Sequence, residues 1–350
     1  MLALTAALGA TPVSQSKLGV VVLGDDATSR AILAACPAVV VLPLPTNAAA
    51  AAQLTVYRQN CSGGIAIARV GDTGMSVDGT TVSLTGSIWV QQVQALAAAG
   101  AIDAVEGPSE PLAASPTALA AFWSSFADLI NGSPLFRRPV VGALPTGMPG
   151  VGATGTNPFC PTADAMRLKT YSWWWSYHAR SATMTTDLAT ELGSTLGFRQ
   201  IRTDCTLAGF PLVITEAGPA APRAWQATDD GWLAFLDAQL AQEASVQGAA
   251  LASAGTGGIA SLAPVQAAVL ARLANPTPTD GGITDGGTDG GADSGRGSIA
   301  PSTPPIGGEL NPSTNSGCST GGPAFLMLAL SPVLFFIRRM VGGRARARTR

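Results

Sequence analysis

The sequence predicts an α/β protein: a (β/α)8 TIM barrel followed by a disordered linker and a C-terminal transmembrane helix. Three observations lead there. From Lys17 to Asn275, short apolar runs alternate with longer helical stretches, giving eight strand-then-helix units; eight such units over ~260 residues match the size of a closed eight-fold barrel. The apolar runs are continuous rather than alternating, as expected for parallel strands covered on both faces. The composition, 47% hydrophobic and 12% charged over 350 residues, supplies a large core.

In order, the expected strands cover Leu18 to Leu23, Val39 to Leu44, Ile65 to Val70, Ile102 to Glu106, Val140 to Leu144, Thr170 to His178, Leu212 to Glu216 and Gln247 to Ser253. Helices fit between them. Ile88 to Ala99 carries an apolar face, and Ser115-Pro116 opens Thr117 to Ile130 with a cap and a first-turn proline. Asp229 to Ala244 and Pro264 to Leu273 follow. A doubly wound open sheet would give a similar pattern, but Gly24-Asp25-Asp26 after the first strand is not a GxGxxG phosphate cradle.

The domain is expected to span residues 17–275, preceded by residues 1–16, an apolar, small-residue stretch that reads as a signal-peptide remnant. Residues 276–317 contain no aromatic residue and are rich in Gly, Pro, Thr and Asp, the composition of a hydrated tether that cannot build a core. Residues 318–350 read as an anchor. Pro323 to Ile337 is apolar, though fifteen residues reach only ~22 Å as a helix against a ~30 Å hydrocarbon layer. Six arginines in the last thirteen residues would hold the far end in the cytoplasm and leave the barrel outside. The order Gly317-Cys318, apolar run, arginine cluster resembles a Myxo-CTERM sorting signal, which implies cell-surface attachment with Cys318 as the sorting position.

Removing those six positive charges from a net charge of −2 leaves the remainder at −8, which argues against nucleic acid as a partner. Cys36, Cys61, Cys160 and Cys205 form no CxxC pair, and His178 is the single histidine, so neither a metal site nor metal-assisted hydrolysis is expected. In an exported protein these four cysteines are expected to pair by proximity, Cys36 with Cys61 and Cys160 with Cys205, with buried free thiols as the alternative. No GxSxG is present, and no cofactor is called for.

In a barrel, chemistry gathers where the strands end. Strand four runs into Glu106-Gly107-Pro108-Ser109-Glu110-Pro111, strand six into Trp173-Trp174-Trp175-Ser176-Tyr177-His178, and strand seven into Val213-Ile214-Thr215-Glu216-Ala217-Gly218. Two carboxylates facing across a mouth are what glycoside cleavage requires: one delivers a proton to the leaving oxygen and the other attacks the anomeric carbon. These three segments resemble the strand-four, strand-six and strand-seven motifs of the clan A glycoside hydrolases. The resemblance covers residues 17–275 and implies a retaining glycosidase acting on a β-linked oligosaccharide or polysaccharide. It implies Glu110 as acid/base and Glu216 as nucleophile, with His178 or Tyr177 orienting the nucleophile or a sugar hydroxyl. Trp173, Trp175 and Trp225 are candidate sugar-stacking surfaces; alternation along a strand requires at least one tryptophan of the Trp173–Trp175 run to be core instead. Ser109 stands where the clan carries asparagine, next to the sugar 2-hydroxyl, and strand eight lacks the clan's tryptophan. These departures leave a second reading, a noncatalytic glycan-binding or structural barrel.

Overall fold

Eight strands close on one another in chain order, every neighbouring pair parallel. In the computed structural model they are β1 (Leu18–Val21), β2 (Val39–Pro43), β3 (Ile65–Arg69), β4 (Ala104–Glu106), β5 (Arg138–Leu144), β6 (Trp174–Ser181), β7 (Leu212–Pro219) and β8 (Val246–Leu251). The structure describes residues 11–12, 14–45, 48–132, 134–146, 157–252 and 259–274. The expected linker at 276–317, the anchor at 318–350 with Cys318, and most of the N-terminal stretch lie outside the described residues. Among the described residues no helix is long and apolar enough to cross a membrane.

The ring closes where β8 meets β1, with Ala249 level with Leu18 and Leu251 level with Val20. The eight expected strands coincide with the eight observed, and the shifts are at their edges. Strand six begins at Trp174 rather than Thr170 and runs on to Ser181.

Alternation along each strand divides the core in two. Val21, Val39, Val41, Ile67, Val140, Trp174 and Val213 point inward and fill the barrel interior. Val20, Val40, Leu42, Val105, Trp175 and Tyr177 point outward under the helices. The interior leaves so little room that Gly19 is required: a Cβ there would stand 1.9 Å from the Val39 carbonyl oxygen. Trp174 plugs the lower end, with the Arg138 guanidinium 4.4 Å from its ring centre.

The outer layer comprises α1 (Ala27–Ala34), α2 (Ala48–Asn60), α3 (Thr81–Ala98), α4 (Pro116–Asn131), α5 (Cys160–Arg167), α6 (Leu188–Leu192), α7 (Phe198–Asp204), α8 (Asp230–Ala241) and α9 (Gln266–Ala274). α4 begins as its sequence dictates: Ser115 accepts the Ala118 amide at 3.1 Å and Pro116 occupies the first turn. Asp26 caps α1 in the same way, through the Ser29 amide at 2.9 Å. Behind the α3–α4 face, Trp89, Phe122, Trp123 and Phe126 form an aromatic cluster with centroid spacings of 4.9–6.3 Å. α3 starts seven residues before the expected Ile88, since Thr81-Val82-Ser83 lacks the apolar stripe that marks the rest of the helix.

Both expected cysteine pairs are disulfides: Cys36–Cys61 with Cα atoms 5.2 Å apart, and Cys160–Cys205 at 4.7 Å. The first ties the end of α1 to the end of α2, and the second ties α5 to the end of α7.

Candidate active site

A cleft of about 560 Å³ opens at the C-terminal ends of the strands. Its polar side chains include Arg69, Ser109, Glu110, Arg180 and Glu216. Arg69 ends β3 and is buried inside the barrel. Its Nε donates to Glu106 Oε2 at 2.6 Å, its Nη2 to the Thr215 carbonyl at 3.1 Å, and its Nη1 to Glu216 Oε1. Glu106 ends β4 and also accepts the Thr215 hydroxyl at 2.7 Å. Arg180 on β6 donates to Glu216 Oε2.

Two local distortions bring these groups together. On a regular strand Thr215 and Glu216 would point to opposite faces. Here the β6–β7 and β7–β8 registers both shift near them, and both side chains reach groups inside the barrel. The β6–β7 shift also sets His178 level with Glu216. Glu110 lies beyond β4, in the loop, with φ of 51°, and its amide donates to the carbonyl of Ala143, itself at φ 44°. Left-handed backbone at non-glycine residues is concentrated at sites where a side chain must be aimed. Gly107 allows the loop to leave β4, because a Cβ there would come within 2.5 Å of the Trp123 ring.

His178 joins the two carboxylates. It is fully buried, with Nδ1 2.8 Å from Glu110 Oε1 and 3.9 Å from Glu216 Oε2. One imidazole nitrogen therefore touches or nearly touches both, and β4 and β7 present their glutamates to a single cleft. The Glu110 carboxyl is held below its ordinary value, chiefly by the His178 hydrogen bond acting against burial. Burial pushes Glu216 up, but His178, Arg69 and Arg180 outweigh it and leave the carboxyl far below the usual carboxylate range. Burial likewise works against the Arg69 charge, and Glu106 and Glu216 outweigh it, so the guanidinium stays firmly protonated.

Of the remaining candidates, Ser109 reaches the cleft and the aromatic residues do not. Ser109 is buried at the cleft. Trp173 packs on Phe210 with centroids 5.0 Å apart, and Trp175 stacks on Phe159 at 6.2 Å beneath the helices. Tyr177 points outward, its hydroxyl donating to the Ser194 carbonyl. Trp225 is 4% exposed, with Nε1 donating to the Ala252 carbonyl at 3.1 Å and its ring against Trp232. None of these four aromatic residues lines the cleft. The strand period is the reason for Trp175 and Tyr177: Trp175 and Tyr177 share the outward face of β6, and the same alternation turns His178 inward. Arg69 and Arg180 were not singled out from sequence; an arginine inside an otherwise apolar strand, as in IAIAR, was the available signal. Among the described residues no cluster of metal-ligating side chains occurs.

No protein-family model matches the chain, and no curated protein matches it. Solved structures do share its architecture, and they are glycoside hydrolases. A 4-O-α-L-rhamnosyl-β-D-glucuronidase from Fusarium oxysporum 12S aligns at 11% identity and a TM-score of 0.50, covering 75% of this chain and 70% of that one. A family 39 glycoside hydrolase from the gut symbiont Bacteroides cellulosilyticus WH2 aligns at 15% identity and a TM-score of 0.49, covering 68% and 56%. A GH5 subfamily 4 endo-β-1,4-glucanase from Bacillus licheniformis aligns at 12% identity and 0.49, covering 74% and 59%. This chain thus spans little more than half the length of the last two. At such identities the likeness is one of fold: the chain shares the closed eight-stranded parallel barrel of these proteins.

Proposed function

We propose that the protein is a surface-anchored retaining glycosidase, with Glu216 as nucleophile and Glu110 as acid/base. The observation that carries the reading is the meeting of these two carboxylates, from the loop after β4 and from β7, at one edge of His178. Arg69 and Arg180 keep Glu216 anionic, as a nucleophile must be. Glu216 attacks the anomeric carbon while Glu110 gives its proton to the departing glycosidic oxygen. Glu110 then takes a proton from the water that releases the sugar, and the configuration is retained. His178 positions Glu110 for both transfers.

A second reading, a noncatalytic glycan-binding barrel, is favoured by two features. The hydrogen bond to His178 holds the Glu110 carboxyl below its ordinary value, and Ser109 stands where the clan carries asparagine. A hydrolysis screen separates the two. The protein and its Glu216→Gln variant are assayed for released reducing ends on a panel of oligosaccharides and polysaccharides. A loss of about a thousandfold in the variant, ~4 kcal/mol of barrier, supports the glycosidase. Equal behaviour of the two proteins on every glycan removes it.

A further inference from the structure

The two oxygens of Glu216 are held by different arginines, and those arginines are themselves held differently. Oε1 accepts from Arg69, whose side chain is 5% exposed and is fixed in turn by Glu106 and the Thr215 carbonyl. Oε2 accepts from Arg180 and lies 3.9 Å from His178 Nδ1, the nitrogen that contacts Glu110 at 2.8 Å. Arg180 stands two residues beyond His178 on β6, on the same face of the strand, and its side chain, 16% exposed, lines the cleft. Its other side-chain contacts among the described residues, from Nη1 to the Pro219 and Ala252 carbonyls, are both long, at 3.5 Å. Arg69 is therefore built into the barrel, whereas Arg180 is anchored chiefly by Glu216 itself.

The difference matters once one of these oxygens forms a bond. Oε2 is the oxygen on the side of His178 and Glu110, and a sugar seated between the two carboxylates presents its anomeric carbon to it. In the first step Oε2 bonds to that carbon while the glycosidic bond breaks and Glu110 gives its proton to the departing oxygen. Oε1 becomes the ester carbonyl and keeps its bond from Arg69, but Oε2 becomes a neutral ester oxygen and Arg180 loses its charged acceptor. In the second step the water oxygen bonds to the anomeric carbon, the water proton passes to Glu110, and the bond to Oε2 breaks. The charge then returns to Oε2 beside Arg180. An interaction stronger with the free carboxylate than with the transition state slows the step that consumes the carboxylate and speeds the step that restores it.

Resting on the glycosidase reading, we infer that Arg180 is a catalytic residue that sets the balance of the two steps: it makes Glu216 a reluctant nucleophile and a ready leaving group, so that attack limits turnover and the glycosyl-enzyme does not accumulate. Arg69, bonded to the oxygen that stays a carbonyl, orients the carboxylate through both steps.

The test uses 4-nitrophenyl and 2,4-dinitrophenyl β-glycosides of glucose, galactose, mannose and xylose and of their β-1,4-linked disaccharides. With the full chain, kcat is expected to be higher for the more acidic dinitrophenol of a pair, and aryl release to be linear from the first turnover. Arg180→Met, which keeps the length of the side chain but not its charge, is expected to lower kcat for the dinitrophenyl glycoside by about ten- to a hundredfold, the worth of a hydrogen bond to a charged group. It should also bring the two kcat values together and release a burst of about one aryl equivalent per protein, with the protein gaining the mass of the sugar in the steady state. Arg180→Lys, which keeps the charge, should restore the linear course. A merely structural role would lower the rate with no burst and leave the preference for dinitrophenol intact. That result, or a burst from the unmodified chain, overturns the inference and leaves the glycosidase reading standing. Absence of cleavage of every glycoside by the unmodified chain removes the reading and the inference together.

Discussion

Arg69 concentrates the site's electrostatics in one side chain. It is enclosed in the barrel and neutralises Glu106 and Glu216 together. Arg69→Leu leaves Glu106 without its cation and Glu216 with Arg180 alone, and removal of one partner from a buried charged network typically costs about 3–5 kcal/mol. Urea unfolding of the variant should register that loss, and a change below about 1 kcal/mol would show the network to be dispensable. The pH dependence follows from the same contacts. The folded protein holds Glu216 far below the ordinary value of 4.5. The folded state therefore binds that proton less readily than the unfolded chain. Its contribution to stability is complete above pH 4.5 and is lost progressively as the pH falls below it. For catalysis, Glu110 must be protonated and Glu216 ionised, and both carboxyls are held below their ordinary value. The kcat/KM profile should accordingly peak on the acid side and fall toward neutrality, and a maximum at or above pH 7 would exclude Glu110 as the acid.

At the scale of elements, the disulfides close segments of 25 and 45 residues. Constraint of the unfolded chain by loops of that size is worth about 3–4 kcal/mol each. Thermal unfolding with and without reductant should show a drop of several degrees, and Cys36→Ser with Cys61→Ser should reproduce part of it. Equal midpoints would mean that packing alone holds α1 and α2 in place. The helices also show what a pattern can convey. α4 was readable because its cap, its proline and its apolar face agree, with Phe122, Trp123, Phe126 and Ile130 all buried. The alanine-rich α2 has three buried side chains and a weak stripe, and the turns of α6 and α7 are too short to complete one.

For the molecule as a whole, the ends of the described chain are tied across the barrel bottom. The Ser14 hydroxyl donates to the Leu273 carbonyl at 2.8 Å, and the Lys17 amide donates to Asp237 at 2.9 Å. The proposed attachment to the cell surface also belongs to this scale. Expressed in a host that recognises the tail, the full chain is expected in the membrane fraction and a version ending at Gly317 in the soluble fraction. Recovery of both as soluble protein would remove the anchor. The sequence by itself determined the number and order of the strands, because continuous apolar runs broken by polar turns are enough to specify strands buried on both faces. It also determined which cysteines are neighbours and the presence of two glutamates near strand ends, while the structure decided for disulfides over buried free thiols. Only the tertiary structure decided which side chains share the cleft. A bulge on β7 at Thr215, which sets Glu216 level with His178, and left-handed backbone at Glu110 redirect side chains against the simple alternation of a strand. Plain alternation leaves Trp175 and Tyr177 in the core, while the β7 bulge brings Glu216 to Arg69 and Arg180. Side-chain direction at a barrel mouth is set by long-range register and closure, which the local pattern of residues does not encode.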